Sequence, residues 1–208
     1  AQLLTVEIKS VEQAKQLDNP DSIVSTDNDT FSSDILEKYV DRTEGLSTGD
    51  LPQFKCFFWE ISSNSKDWNP FRSTVKQTVD YGGIQGAVYW CNGIGPMNNT
   101  GGARITGQKV WGKTGILISQ MQMLPTTLYG GEIFDDNSAV VVPKEEGNLK
   151  ALWAFLSSDE YGKAVREIDQ SLKATSNSLV KALFDLDHWT KVAEEKYPNG
   201  LPKPYTDD

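Results

Sequence analysis

Three stretches of the sequence carry side chains suited to contact with a polyanion. "RITGQKVWGKTGILISQMQ", residues 104–122, holds Arg104, Gln108, Lys109, Lys113, Ser119, Gln120 and Gln122. Amide side chains offer both a donor and an acceptor to the edges of bases. Lysine, arginine and hydroxyl groups suit phosphate oxygens. "KATSNS", residues 173–178, is a second small polar loop, with Lys173, Thr175 and Ser176 as candidates. In "GLSTGD", residues 45–50, Ser47 and Thr48 are candidate phosphate neighbours. Asp50 would repel phosphate and is expected to cap backbone N–H groups. Gly45 and Gly49 are expected to supply unusual backbone angles. The same polar residues also suit a sheet surface with no partner, so composition alone leaves both readings open.

Catalytic chemistry finds less support. His188 is the sole histidine, which excludes a His-based metal cluster and leaves one candidate for a Ser-His or Cys-His pair. It lies in "DLDHWTKVAEE", a helix start, and is read as a surface or capping residue. Cys56 and Cys91 sit in apolar, strand-like runs without zinc-site spacing, and are read as two buried free thiols of a cytosolic protein. Asp135 and Asp136 are adjacent, so in a strand they would face opposite ways; they suit a turn better than a metal pair. "VVVPKEEG" reads as a strand end and a solvated turn, and "GIGP" and "NTGG" lack the strand–loop–helix setting of a dinucleotide site. No catalytic residue, metal or cofactor is expected in this segment.

Charge is unevenly spread. The 208 residues carry a net charge of −9. Residues 1–50 hold 4 basic and 11 acidic side chains, residues 51–131 hold 7 and 3, and residues 132–208 hold 9 and 15. A basic middle between acidic ends can focus a polyanion onto one face; ordinary charge scatter produces the same counts. Hydrophobic content of 38% and charged content of 24% fit a folded globular chain. No apolar run reaches the ~18 residues of a membrane span, and no signal peptide is visible. The absence of an initiator Met and the ending at Asp207-Asp208 read as a piece of a longer polypeptide.

These residues need a frame. Residues 1–43 read as a helical or irregular lead-in, with "SSDILEKYV" as a short helix capped by Ser32 or Ser33. "QFKCFFWEI", residues 53–61, is apolar on both alternating faces, as in a central strand covered on both sides. Further strands are expected within 86–92, 114–121, 126–134 and 138–143. Helical stripes follow: Leu149, Leu152, Trp153 and Leu156, then Tyr161, Ala164, Val165 and Ile168. Ser157 and Glu160 have capping-box spacing at the second helix. A third helix turns Leu186, Trp189, Val192 and Ala193 inward, and residues 198–208 read as a Pro-rich linker. Strands first and helices late predict an α+β fold, a mixed and largely antiparallel sheet of about five or more strands with C-terminal helices.

"EGLSTGDLPQFKCFFWEI" resembles the Gly-x-x-Thr-Gly-Asp … aromatic-Trp-Glu segment after the methylase domain of type IIG restriction–modification enzymes. "WGKTGILISQMQMLPTTLYGGEIFDDNSAVVVPKEEGNLKALWAFLSSDEY" and "ATSNSLVKALFDLDHWTKVAEEKYPNGLPKPYTDD" look like the segments that follow there. The order is also similar to the target recognition domains of type I specificity subunits. The resemblance covers residues 42–208 and implies a DNA target recognition domain over 44–197. It implies double-stranded DNA as partner, a methylase domain of the same parent chain, and a bacterial or archaeal cytoplasm. S-adenosylmethionine and adenine-N6 methylation would belong to that missing domain. "WNPF" resembles the Asn-Pro-Pro-aromatic loop of amino-group DNA methyltransferases but lacks the second proline. It is expected instead to start a helix, with Asn69 as cap and Pro70 at the first helical position. The alternative is a module that packs on the methylase domain without touching DNA, which an exposed apolar surface would favour.

Overall fold

The computed structural model describes residues 34–62 and 65–204. Among the described residues, ten short strands are interleaved with four α-helices. Strands β2 (Val40–Glu44), β6 (Gly115–Ser119), β7 (Thr126–Tyr129) and β9 (Ser138–Pro143) form an antiparallel sheet in the order β2-β9-β6-β7. A second sheet has the order β3-β5-β4-β8, from β3 (Lys55–Phe57), β4 (Trp68–Arg72), β5 (Gly86–Tyr89) and β8 (Ile133–Phe134). Only its β4–β8 pair is parallel. β1 (Asp34–Ile35) pairs with β10 (Leu183–Phe184). Helix α1 (Leu51–Phe54) precedes β3, while α2 (Leu149–Leu156), α3 (Asp159–Ile168) and α4 (Leu186–Lys196) follow β9. The α+β class expected from the sequence is the one observed; the strands divide between separate sheets instead of joining one.

The first sheet is covered on both faces, and its side-chain alternation shows how. Ile116, Ile118, Ala139 and Val141 face α2 to α4 and pack with Leu152, Trp153 and other helix residues. Leu117, Val140 and Val142 face the other way and meet Val110, Tyr129 and Phe134. Burial on both sides explains why β6 and β9 are continuous apolar runs. The helices insert most of the stripes read from sequence: α2 buries Leu152, Trp153 and Leu156, and α3 buries Tyr161 and Val165, while Ile168 at the end of α3 is exposed. Ser158, one residue after the expected position, caps α3 by accepting from the Tyr161 N–H at 3.4 Å. Asp185 caps α4 through the His188 N–H at 3.0 Å, leaving the His188 side chain exposed.

Expectations change first at three segments before β5. "DILEKYV" is strand, 3-10 turn and strand, because Val40 to Glu44 pair along β9 and this tertiary pairing overrides helix propensity. Residues 34–43 therefore join the core instead of a lead-in, and Ser32 and Ser33 lie outside the described residues. Residues 53–61 hold only a three-residue strand, at the edge of the second sheet and not its centre. Pro52 in the first turn of α1, with Asp50 Oδ1 accepting from the Gln53 N–H at 3.2 Å, makes a helical turn there, and a 3-10 turn (Phe58–Glu60) ends the strand. "WNPF" is strand β4, not a helix start. Pro70 is accommodated because β8 pairs only with Phe71 and Arg72, so one side of β4 is open at the proline.

The expected strand 126–134 is two strands in different sheets, broken at Gly130-Gly131. Gly131 has φ +107, and a Cβ there would lie 2.7 Å from Gly112 Cα, so the crossing needs glycine. Arg72 spans it: its guanidinium donates to Leu128 O of β7 and, at 2.9 Å, to Glu132 Oε1 beside β8. Cys56 and Cys91 are free thiols, half-buried instead of buried. Burial, and then the charge of Glu60, push the Cys56 thiol pKa up.

Candidate nucleic-acid interface

Antiparallel pairing brings separated lysines together. Lys113 stands just before β6, and Lys144 stands just after β9; because Ile116 pairs with Val141, those two strand ends are neighbours. Lys109 belongs to a 3-10 turn (Gln108–Val110) whose Val110 is buried in the core, which holds Gln108 and Lys109 outward. Arg42 comes from β2, opposite Val141. Arg42, Lys109, Lys113 and Lys144 line one concavity of about 570 Å³, together with Glu37 and Asp41.

The cations in it differ in freedom. Lys144 Nζ donates to the Glu37 and Lys38 carbonyls at 2.9 and 3.1 Å. Arg42 lies 3.5 Å from Glu37 Oε1 and donates to Asn177 Oδ1. Glu37 also pairs with Lys181 at 2.7 Å, so its charge is already shared. Lys109 and Lys113 are exposed and have no partner among the described residues. Sequence reading found these two and missed Lys144 and Arg42. The signal for Lys144 was its place directly after "VVVP", which becomes informative only once β9 is paired with β6.

The "GLSTGD" loop lies elsewhere. Ser47 and Arg104 exchange two backbone hydrogen bonds, Ser47 N–H to Arg104 O at 3.0 Å and Arg104 N–H to Ser47 O at 2.8 Å. The exposed Arg104 guanidinium sits 3.8 Å from Glu44 and 3.9 Å from Asp136, which offset its charge. Thr48 is buried and is not available to a phosphate. Gly49 has the expected positive φ, +73°; Gly45 serves differently, since a Cβ there would lie 2.1 Å from Asp135 O.

The remaining candidates divide again. Ser119 and Gln120, expected at a DNA surface, are buried. Ser119 Oγ accepts from the Val75 N–H at 2.9 Å, and Gln120 Nε2 donates to Ala174 O at 3.0 Å. These bonds brace the loop ends, although Gln120 Oε1 is buried without a partner. Lys173 Nζ is occupied by Asp136 O at 2.7 Å. Thr175 shares a 2.7 Å hydroxyl contact with Ser178, while Ser176 is half-buried beside it. Asp169 organises that loop: the Ser171 hydroxyl, the Ser178 hydroxyl and the Thr175 and Ser171 N–H groups hold its carboxyl well below the usual range. Gln122 is exposed, on the connection between β6 and β7.

An aromatic patch was expected inside and lies outside. Phe57, Phe58 and Trp59 are 47%, 59% and 59% exposed. Phe57 stacks on Trp59 with centroids 4.5 Å apart, and Phe58 meets Trp59 edge-on. An adjacent cleft of about 410 Å³ is lined by Phe58, Trp68, Phe71 and Ile84. Among the described residues, no helix is long and apolar enough to cross a membrane. Comparison of the chain with protein-family models and with curated proteins finds no match.

Proposed function

We propose that this chain is a sequence-specific double-stranded DNA recognition domain that directs a linked adenine-N6 methyltransferase to its target. The methylase domain of the parent polypeptide would bind S-adenosylmethionine, and the parent would work in a bacterial or archaeal cytoplasm. The observation that carries this reading is the concavity holding Lys109 and Lys113, unpaired, beside Lys144 and Arg42. Free cations clustered on an otherwise acidic protein attract a polyanion locally while the remaining surface repels it. Duplex binding should therefore weaken with salt, and Lys109→Ala with Lys113→Ala should flatten that dependence by ~0.9 in log–log slope per lost phosphate contact. Titration of the protein with a duplex over a salt series reads the slope. An unchanged slope in the double variant removes these lysines from the interface.

A second reading has its own observation. The exposed Phe57, Phe58 and Trp59 surface favours a module that packs on a neighbouring methylase domain. The two surfaces use different residues, so one chain can carry both.

A further inference from the structure

The connection between β6 and β7 projects an amide on a fixed backbone. Gln122 and Leu124 both have left-handed backbone angles, φ +55° and +56°, which side-chain-bearing residues adopt only when held there. What holds them is visible. The Ser119 N–H donates to Pro125 O at 2.9 Å, and the Leu124 N–H to Met121 O at 3.0 Å. Arg166 Nε donates to Gln122 O at 2.8 Å, and Leu124 is buried in the core. Gly162 of α3 packs against Met123 O, where a Cβ would come within 2.8 Å. With its carbonyl tied, Gln122 turns its side chain to solvent between two thioethers, Met121 and Met123, which are 39% and 60% exposed. The Gln122 amide has no partner among the described residues.

The surroundings of the tip are cationic. A concavity of about 570 Å³ is lined by Gln122 and Met123 together with Lys76, Gln77, Lys163 and the acidic Asp159. Lys76 and Lys163 are exposed and unpartnered among the described residues. An amide flanked by apolar groups, with lysines at the rim, has the layout of base reading with phosphate positioning. A glutamine amide matches adenine, accepting from N6 and donating to N7, and an adjacent apolar group suits the thymine methyl.

We propose that Gln122 is a specificity-determining residue that reads an A·T pair in the major groove, with Lys76 and Lys163 on the flanking phosphates. This rests on the chain's binding duplex DNA. Lys113 and Gln122 stand at opposite ends of β6. Nine residues at ~3.3 Å per residue span at most roughly 30 Å, so their separation does not exceed the ~34 Å of one duplex turn.

The test selects bound duplexes from a sequence-randomised pool with the wild-type chain, Gln122→Ala and Gln122→Glu. One position preferring A·T in the wild type should lose about 5- to 140-fold of its discrimination in Gln122→Ala. Gln122→Glu, which can only accept, should move that position toward C·G. The glutamate variant keeps the side-chain shape at the left-handed position, and a far-UV spectrum matched to wild type confirms its fold. Unaltered base preference in both variants, while the Lys109 and Lys113 substitutions still flatten the salt dependence, overturns the assignment of Gln122 alone. The tip would then be an apolar contact for another protein. Absence of salt-dependent binding and of any selected sequence in the wild type overturns the DNA reading and this inference with it.

Discussion

Arg72 and Glu132 join the two sheets, and their unequal burial predicts an unequal response to mutation. Arg72 is 1% exposed, with its guanidinium on Leu128 O and Glu132 Oε1 and its Nε already without a partner. The Glu132 side chain is 20% exposed. Glu132→Ala strands a full charge where water cannot reach it, which costs ~3–5 kcal/mol. Arg72→Met keeps the length of an apolar stem and leaves a carboxylate that can turn to solvent, so the cost is ~1–3 kcal/mol, mainly the unsatisfied Leu128 carbonyl. For a chain of this size ~1 kcal/mol moves the melting temperature by about 2–4 °C. Glu132→Ala should thus melt roughly 6–20 °C below wild type. Adding Arg72→Met to Glu132→Ala should recover part of the loss, because it removes the stranded charge but leaves the Leu128 carbonyl without its donor. Calorimetric melts of the two single variants and the double variant read all three values. A double variant less stable than Glu132→Ala refutes this account, since packing and not charge would then set the energy of the crossing.

Two further outcomes are expected. The depressed Asp169 carboxyl contributes stability that is fully present above its unfolded pKa of about 3.9 and is lost progressively as pH falls from there through the much lower folded-state pKa; Asp169→Asn should cost roughly 1 kcal/mol near neutral pH, kept small by solvent screening, and the difference from wild type should shrink steadily in melts taken below about pH 4, whereas a constant difference would contradict the cause assigned. Phe58→Ser with Trp59→Ser should leave the salt dependence of duplex binding intact and weaken binding of the chain to a separately expressed methylase domain, and unchanged binding to that domain would remove the second reading.

Sequence periodicity made the helical half and the central strands legible because each buries a continuous stripe. Leu152, Trp153 and Leu156 could hardly be read otherwise, and the β6 and β9 runs were long and apolar. The aromatic run was not legible for the opposite reason. Phe57, Phe58 and Trp59 look like core by hydrophobicity, but Phe57 ends a short edge strand and the 3-10 turn beginning at Phe58 carries the other two off the sheet. Lys109, Lys113 and Gln122 are exposed, as a DNA contact would require, because they lie on loop ends whose polar chemistry is visible in the sequence. Ser119 and Gln120 were misplaced because the groups that hold them inside, the Val75 N–H and the Ala174 carbonyl, lie far away in sequence. Lys144 was missed because its neighbour across the sheet, not its own context, gives it meaning.

The second sheet stops at β3, whose outer edge is only three residues long. An open edge invites another chain to add a strand, and aromatic side chains beside it would strengthen such an addition. Here the helical turn containing Pro52 closes one end, and the turn at Phe58 closes the other. The aromatic surface is thus available to a partner through side chains, while too little backbone is exposed to template a growing sheet. Adhesiveness and solubility are separated by the length of one strand.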